Sequence, residues 1–242
     1  LLFWTDNRNQ PRVINVKAAV NNSSFYNSED LISVAKYNPY QAIDLYYQSA
    51  DNALYYSSLK DVVSTFLPNG TTPNPFKNPK WPGDPDYLES RFVTFSYRFQ
   101  FSDGEYSIMA PFTQEAFIPK QDGYFLPGDE DDAYRSTIVR FMENKVNSVE
   151  LFIPLPFNGT DMVSKLNVIA IDILYKESNS LSVKVLESIP ENEIISTTTS
   201  TFKYDYQSRK PYKTLPESET IRVYDKVPVK ALGQEIIGNR VV

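Results

Sequence analysis

Cysteine and histidine are both absent from the 242 residues of this chain. Their absence excludes disulfides, thiolate nucleophiles, histidine general bases, the Ser-His-Asp triad and the usual zinc sites. It also leaves the redox compartment unmarked. Glycine is sparse, with 8 residues against 17 prolines, a balance that favours extended segments and turns set by proline. No run approaches the roughly 18 consecutive apolar residues of a membrane helix, and no signal peptide is visible. No membrane is expected among its partners. The sequence has no G-x-S-x-G elbow, no G-x-x-x-x-G-K-[ST] loop and no G-x-G-x-x-G, so nucleophile and phosphate-cradle chemistry lack their usual signatures and no cofactor is expected.

What is present is aromatic and β-prone. Tyrosine (17) and phenylalanine (15) dominate the large side chains, and the 41% hydrophobic and 22% charged fractions suit a globular protein of one or two domains. The opening residues read as a strand, a tight polar turn and a second strand. Asp6, Asn7 and Asn9 tolerate left-handed or Asx-turn geometry without glycine, and Pro11 belongs at the start of a strand or on an edge because it withholds a ladder donor. Residues 12 to 16 alternate polar and apolar as a half-buried strand does. With an apolar strand also at residues 235 to 242, the chain reads as a piece of a longer one whose bare strand edges are covered by residues or partners not included here.

Residues 21 to 24 form a polar loop. Residues 31 to 35 fit the start of a strand or a helical turn. Beyond Pro39, Ala42, Ile43, Leu45, Tyr46, Ala50, Ala53 and Leu54 are spaced like one helix face, as are Leu59, Val62, Val63 and Phe66, so two short helices are expected. Residues 68 to 85 hold six prolines and make a stiff connector. Trp81 within it either pins the connector to a core or contacts a neighbouring subunit.

Residues 91 to 101 set Val93, Phe95, Tyr97, Phe99 and Phe101 on one apolar face. Asp103-Gly104 signals a hairpin turn, and residues 106 to 118 supply the returning strand, bent or broken at Pro111. Alternating runs follow at residues 138 to 142, 146 to 153, 166 to 176 and 181 to 189. Such strands, with turn signals about every dozen residues, indicate a sandwich of the immunoglobulin or fibronectin III kind over residues 87 to 190. Residues 196 to 201 are β-prone, and residues 202 to 206 and 220 to 227 alternate again.

As strings, these residues carry a resemblance. Leu2-Phe3-Trp4-Thr5-Asp6 and Pro11-Arg12-Val13-Ile14-Asn15-Val16 resemble a hairpin in the β-propeller of tail nozzle proteins, the muzzle or stabilization proteins of crAss-like and other short-tailed phages. Phe95-Ser96-Tyr97-Arg98-Phe99, Asp103-Gly104-Glu105-Tyr106-Ser107, Ala110-Pro111-Phe112-Thr113 and Ile171-Asp172-Ile173-Leu174-Tyr175 look like that family's inserted sandwich domain. Lys210-Pro211-Tyr212-Lys213-Thr214, Tyr224-Asp225-Lys226-Val227-Pro228 and Gln234-Glu235-Ile236-Ile237-Gly238-Asn239-Arg240 look like the return into the propeller. Residues 27 to 85 carry little of it.

The resemblance implies an all-β chain in which a fibronectin III or immunoglobulin-like sandwich is inserted between β-propeller blade strands, with a few short helices. Residues 1 to 26 would be the propeller-type hairpin, 27 to 86 an insertion and connector, 87 to 190 the sandwich, and 191 to 242 the return strands. It further implies a non-enzymatic virion protein of the tail. By the same resemblance, six copies would form a ring around the DNA ejection path, beside tail adaptor or ring proteins and tail fibres.

Charge agrees with a conduit. Formal net charge is -6, which disfavours a nucleic-acid grip and suits a wall past which genomic DNA slides without sequence-specific binding. Trp4, Arg12, Tyr46, Tyr47, Trp81 and Arg240 are the candidate subunit contacts, and Arg8, Arg209 and Arg222 are further sources of charge-assisted bonds. Tyr37, Tyr40, Tyr46, Tyr47, Tyr55 and Tyr56 fit equally a glycan-binding shelf, which makes an adhesin the alternative function. Asp129, Glu130, Asp131 and Asp132 are the dense acidic run. They lack calcium-loop spacing and read as a solvated loop rather than an ion site. A polysaccharide-cleaving enzyme needs two facing acids, and no pair stands out in the sequence.

Overall fold

A computed structural model describes residues 1–46, 65–66, 74–117, 119–120, 143–144, 146–220, 228–237 and 240–241. The opening hairpin forms through its turn chemistry. Strand β1 (Leu2–Trp4) pairs antiparallel with β2 (Arg12–Ile14), with Trp4 opposite Arg12. Between them Asn7 adopts φ 58°, and the Asp6 carboxylate accepts the N–H groups of Arg8 at 2.9 Å and Asn9 at 2.8 Å. Pro11 stands just before β2, where its missing N–H costs no ladder bond, and its carbonyl accepts the Val34 N–H at 2.9 Å. The hairpin ends earlier than its alternation suggests, because Val16–Asn21 turns into helix α1. A short 3₁₀ turn follows at Glu29–Ile32.

The remaining strands are β3 (Asp44–Tyr46), β4 (Val93–Phe101), β5 (Pro119–Lys120), β6 (Glu143–Asn144) and β7 (Val149–Pro154). After helix α2 (Gly159–Leu166) come β8 (Val168–Glu177), β9 (Val183–Pro190), helix α3 (Glu191–Ile195), β10 (Thr201–Tyr206), β11 (Lys213–Thr214), helix α4 (Glu217–Thr220), β12 (Ile236–Ile237) and β13 (Arg240–Val241). The fold is all-β with a few short helices. One sheet runs β11-β9-β8-β4 and another β10-β7-β3, while β1-β2, β5-β6 and β12-β13 are two-stranded ribbons. No barrel closes among the described residues.

The two larger sheets face each other across one core. Val149, Leu151 and Ile153 of β7 and Phe202 and Tyr206 of β10 meet Phe95, Tyr97 and Phe99 of β4 and Ile171, Ile173 and Tyr175 of β8 in a single buried cluster. The Tyr97 hydroxyl donates across the gap to the Pro154 carbonyl at 2.9 Å, and the Phe95 and Tyr206 rings meet edge-on at 5.2 Å. Two strands from outside residues 87 to 190 complete the smaller sheet, β3 and β10 flanking β7. Asp44–Tyr46 is therefore strand rather than helix. A central β7 buried on one face stabilises an extended neighbour, and this pairing overrides the helical spacing of residues 42 to 54. The helix expected over residues 57 to 66 lies almost wholly outside the described residues, as do the runs 138 to 142 and 220 to 227.

Residues 105 to 116 return beside β4 but not as a regular strand. Ser107, Ala110, Thr113 and Ala116 donate their N–H groups to Phe99, Tyr97, Phe95 and Val93. Three residues on the returning chain thus span two on β4, and the Ser107 and Thr113 hydroxyls accept the Phe99 and Phe95 N–H groups in place of backbone carbonyls. Such an edge tolerates Pro111. Helices α2 and α3 cap one end in close contact. Gly159 is required there, since a Cβ would sit 1.7 Å from the Ile194 carbonyl oxygen.

Candidate functional site

Trp4 and Arg12 are brought together as cross-strand neighbours. Trp4 is half-buried, and Arg12 is buried with its guanidinium on Glu29. Arg12 is thereby engaged within the chain. Tyr46, at the end of β3, is 56% exposed. Trp81 is half-buried in the proline-rich turns, its indole N–H buried without a hydrogen-bond partner among the described residues. Arg240 is placed in β13 by its backbone. Tyr47, Tyr55, Tyr56, Arg222 and the acidic run from Asp129 lie outside the described residues. Arg209 pairs with Glu187 at 2.9 Å. Among the described candidates, the Trp4–Arg12 pair is the one that the strand pairing brings together.

The outer face of the three-stranded sheet is more coherent. Pleat alternation sends Asp44 and Tyr46, Glu150 and Phe152, and Lys203 and Asp205 to the side away from the core, in two cross-strand rows. Lys203 bonds Glu150 at 2.7 Å and approaches Asp205 at 3.6 Å. The bond to Glu150 raises the lysine's pKa, and Asp205 adds to the effect. Three carboxylates against one ammonium leave this face acidic.

The most unusual electrostatics lie on the opposite side, on the outer face of the larger sheet. Arg98, Asp172 and Ser188 occupy one row across β4, β8 and β9. Arg98 Nε donates to Asp172 at 3.0 Å, the Ser188 hydroxyl donates to the same carboxylate at 2.6 Å, and Arg98 Nη1 reaches Glu219 of α4 at 2.7 Å. The guanidinium stacks 3.8 Å from the centre of the Tyr106 ring, and its Nη2 is buried without a hydrogen-bond partner among the described residues. Burial, and then the Asp172 charge, push the Tyr106 hydroxyl pKa up, with Arg98 opposing. Sequence reading missed this cluster. The available signal was Asp172 at the middle of the apolar run 168 to 175, a placement tolerated only when the charge is paired.

Chemically the cluster is a clamp. Both carboxylates are engaged by one guanidinium, and α4 is thereby tied to the sheet. No group of three or more Asp or Glu side chains is positioned to hold a metal ion among the described residues. No described helix is long and apolar enough to cross a membrane. Comparison with protein families, with curated proteins and with solved structures finds no match.

Proposed function

We propose that this chain is a structural virion protein of a phage tail, a nozzle or muzzle subunit forming part of the DNA ejection conduit. In this reading the facing sheets are a fibronectin-like insertion beside β-propeller strands. The observation that carries it is the meeting of residues 5 to 9 with residues 231 and 232. The Asn7 N–H donates to the Ala231 carbonyl and the Ala231 N–H to the Asn9 carbonyl, each at 3.2 Å, while the Thr5 hydroxyl reaches the Leu232 carbonyl at 3.4 Å. Two flanking segments that lie side by side support the reading of the sandwich as an insertion, because a domain inserted in a larger body has its two connections close together.

The mechanism is mechanical and electrostatic. A ring of six copies would bury open strand edges at its subunit contacts. An acidic face such as that of Asp44, Glu150 and Asp205, turned to the channel, would repel phosphates and let duplex DNA slide. Tail adaptor or ring proteins and tail fibres are the neighbours this role requires. Cryo-electron microscopy of purified tails, with native mass spectrometry of the full-length protein, tests the proposal. A closed ring on the tail axis is expected. A protein that is monomeric in virions, or absent from tails, refutes it.

A further inference from the structure

A hollow of about 350 Å³ opens at the tip of the larger sheet. Phe25, Tyr26 and Tyr37 line it from the N-terminal segment, and Phe101, Asp103 and Asn167 from the ends of β4 and α2. Two lining residues bond each other, and the segments beside the hollow are tied down. The Lys36 ammonium bonds Asp103 at 2.5 Å, the Ile108 N–H donates to the Asn38 side chain at 3.1 Å, and the Val34 N–H donates to Pro11. The hollow is therefore preformed, and it sits at a junction between chain segments. Its size is within the roughly 300–1,000 Å³ of small-ligand sites.

The lining decides the ligand class. Lys36 lies 5.7 Å from the centre of the Phe101 ring, and Asp103 neutralises its charge. A phosphate or carboxylate would have to compete with that aspartate. A divalent cation would find a single carboxylate, too few oxygens to replace its water. What remains is a neutral site with aromatic faces and mixed hydrogen-bonding groups. Phe25 and Tyr26 form an edge-to-face pair with centroids 4.9 Å apart, and both are half-buried.

Asn167 is the most telling residue. It closes α2 in the left-handed conformation at φ 55°, its backbone N–H satisfied by Met162 and Val163 and its carbonyl by the Ser102 N–H. Its side-chain amide makes no hydrogen bond to a described residue and offers both donors and an acceptor. Lys36 keeps further N–H donors, and Asp103 keeps acceptor lone pairs. A pyranose has the matching chemistry, a C–H face for an aromatic ring and hydroxyls that both donate and accept.

We propose that this hollow binds an uncharged hexose unit, stacked on the Phe25–Tyr26 pair and read by Asn167 and the Lys36–Asp103 pair. The unit comes either as a free sugar or as the end of a neutral glycan chain. The site does not depend on ring formation.

The test uses the full chain, with saturation-transfer NMR and calorimetry on methyl glucoside, methyl galactoside and N-acetylglucosamine, and an array of neutral oligosaccharides. N-acetylneuraminic acid and glucose 6-phosphate serve as charged controls. Neutral saccharides are expected to bind and charged ones to bind less. Binding by the methyl glycosides marks a free-sugar site, and binding on the array alone marks a chain-end site. Asn167→Gly keeps the left-handed backbone and should weaken binding about tenfold, the scale of one lost polar contact. Ala35 also lines the hollow, so Ala35→Trp, which fills it, should abolish binding. If Ala35→Trp fails to fold by circular dichroism, Asn167→Gly alone decides. The proposal is overturned if no neutral saccharide binds, if charged probes bind as well, or if folded Asn167→Gly binds like the parent.

Discussion

Removing the Asp172 carboxylate would test the clamp most directly. Arg98 has 1% side-chain exposure and Asp172 has 6%, so neither charge can recover hydration when the other is removed. In Asp172→Ala the guanidinium keeps Glu219, whose side chain is 30% exposed, and the ring of Tyr106. Breaking a buried pair from one side costs about 3–5 kcal/mol, a large share of the roughly 5–15 kcal/mol of a typical domain. For a chain of this length each kcal/mol lowers Tm by roughly 2–4 °C. Glu219→Gln should cost far less, about 1 kcal/mol or below, because its partner contact is half-open to water.

The double variant Arg98→Met, Asp172→Ala discriminates best. It removes both charges, so it should be more stable than Asp172→Ala alone, giving strong coupling in a double-mutant cycle. Urea unfolding followed by circular dichroism measures each leg. If Asp172→Ala costs under about 1 kcal/mol, or the two substitutions simply add, Arg98 is not the buried cation the fold implies.

Three further outcomes follow from particular contacts. Gly159→Ala should destabilise by about 3 kcal/mol or more through backbone overlap with Ile194. Gly104→Ala, where φ is +87° and an added Cβ would meet no described atom beyond its chain neighbours within 4 Å, should cost only about 1 kcal/mol of conformational strain. Equal thermal shifts for the two glycines would contradict the packing of α2 on α3. The hydrogen bonds from Asn9 and the Arg8 and Asn9 amides hold Asp6 at a pKa of about 2, below its ordinary 3.8. Its contribution to the turn is then fully present above pH about 4 and lost as pH falls through about 2, and carbon-detected NMR should find that midpoint. Burial raises the hydroxyl pKa of Tyr97, Tyr175, Tyr204 and Tyr206. The stability they contribute is fully present below pH about 10 and declines above it, so their tyrosinate absorbance should rise together with alkaline unfolding. Ionisation of these four in the folded state would refute their burial.

Local rules were legible where local chemistry decides. The Asp6-Asn7 turn, the position of Pro11, the Asp103-Gly104 turn and the alternation of β4, β7, β8 and β9 all follow from residue type and period. Helix α2 was not foreseen, although Asn158 capping the Asp161 N–H at 2.9 Å, with Met162 and Leu166 four residues apart, left a signal. The strand at Asp44–Tyr46 had no local signal, since its conformation comes from pairing with β7. The candidate contacts fared unevenly. Trp4 and Arg12 lie opposite each other, Arg12 is taken up by Glu29, and Tyr46 stays exposed.

By itself, then, the sequence determined the β-rich class, the turns and the apolar faces, because these depend on neighbours within a few residues. Only the tertiary structure decided that Arg98 faces Asp172 and Ser188 and reaches Glu219, that Asn7 and Asn9 meet Ala231, and that residues 25 to 37 close a hollow against Phe101 and Asn167. Those contacts join residues 60 or more positions apart or on separate strands. No periodicity encodes them, because register and chain return are set by how whole sheets bury their faces.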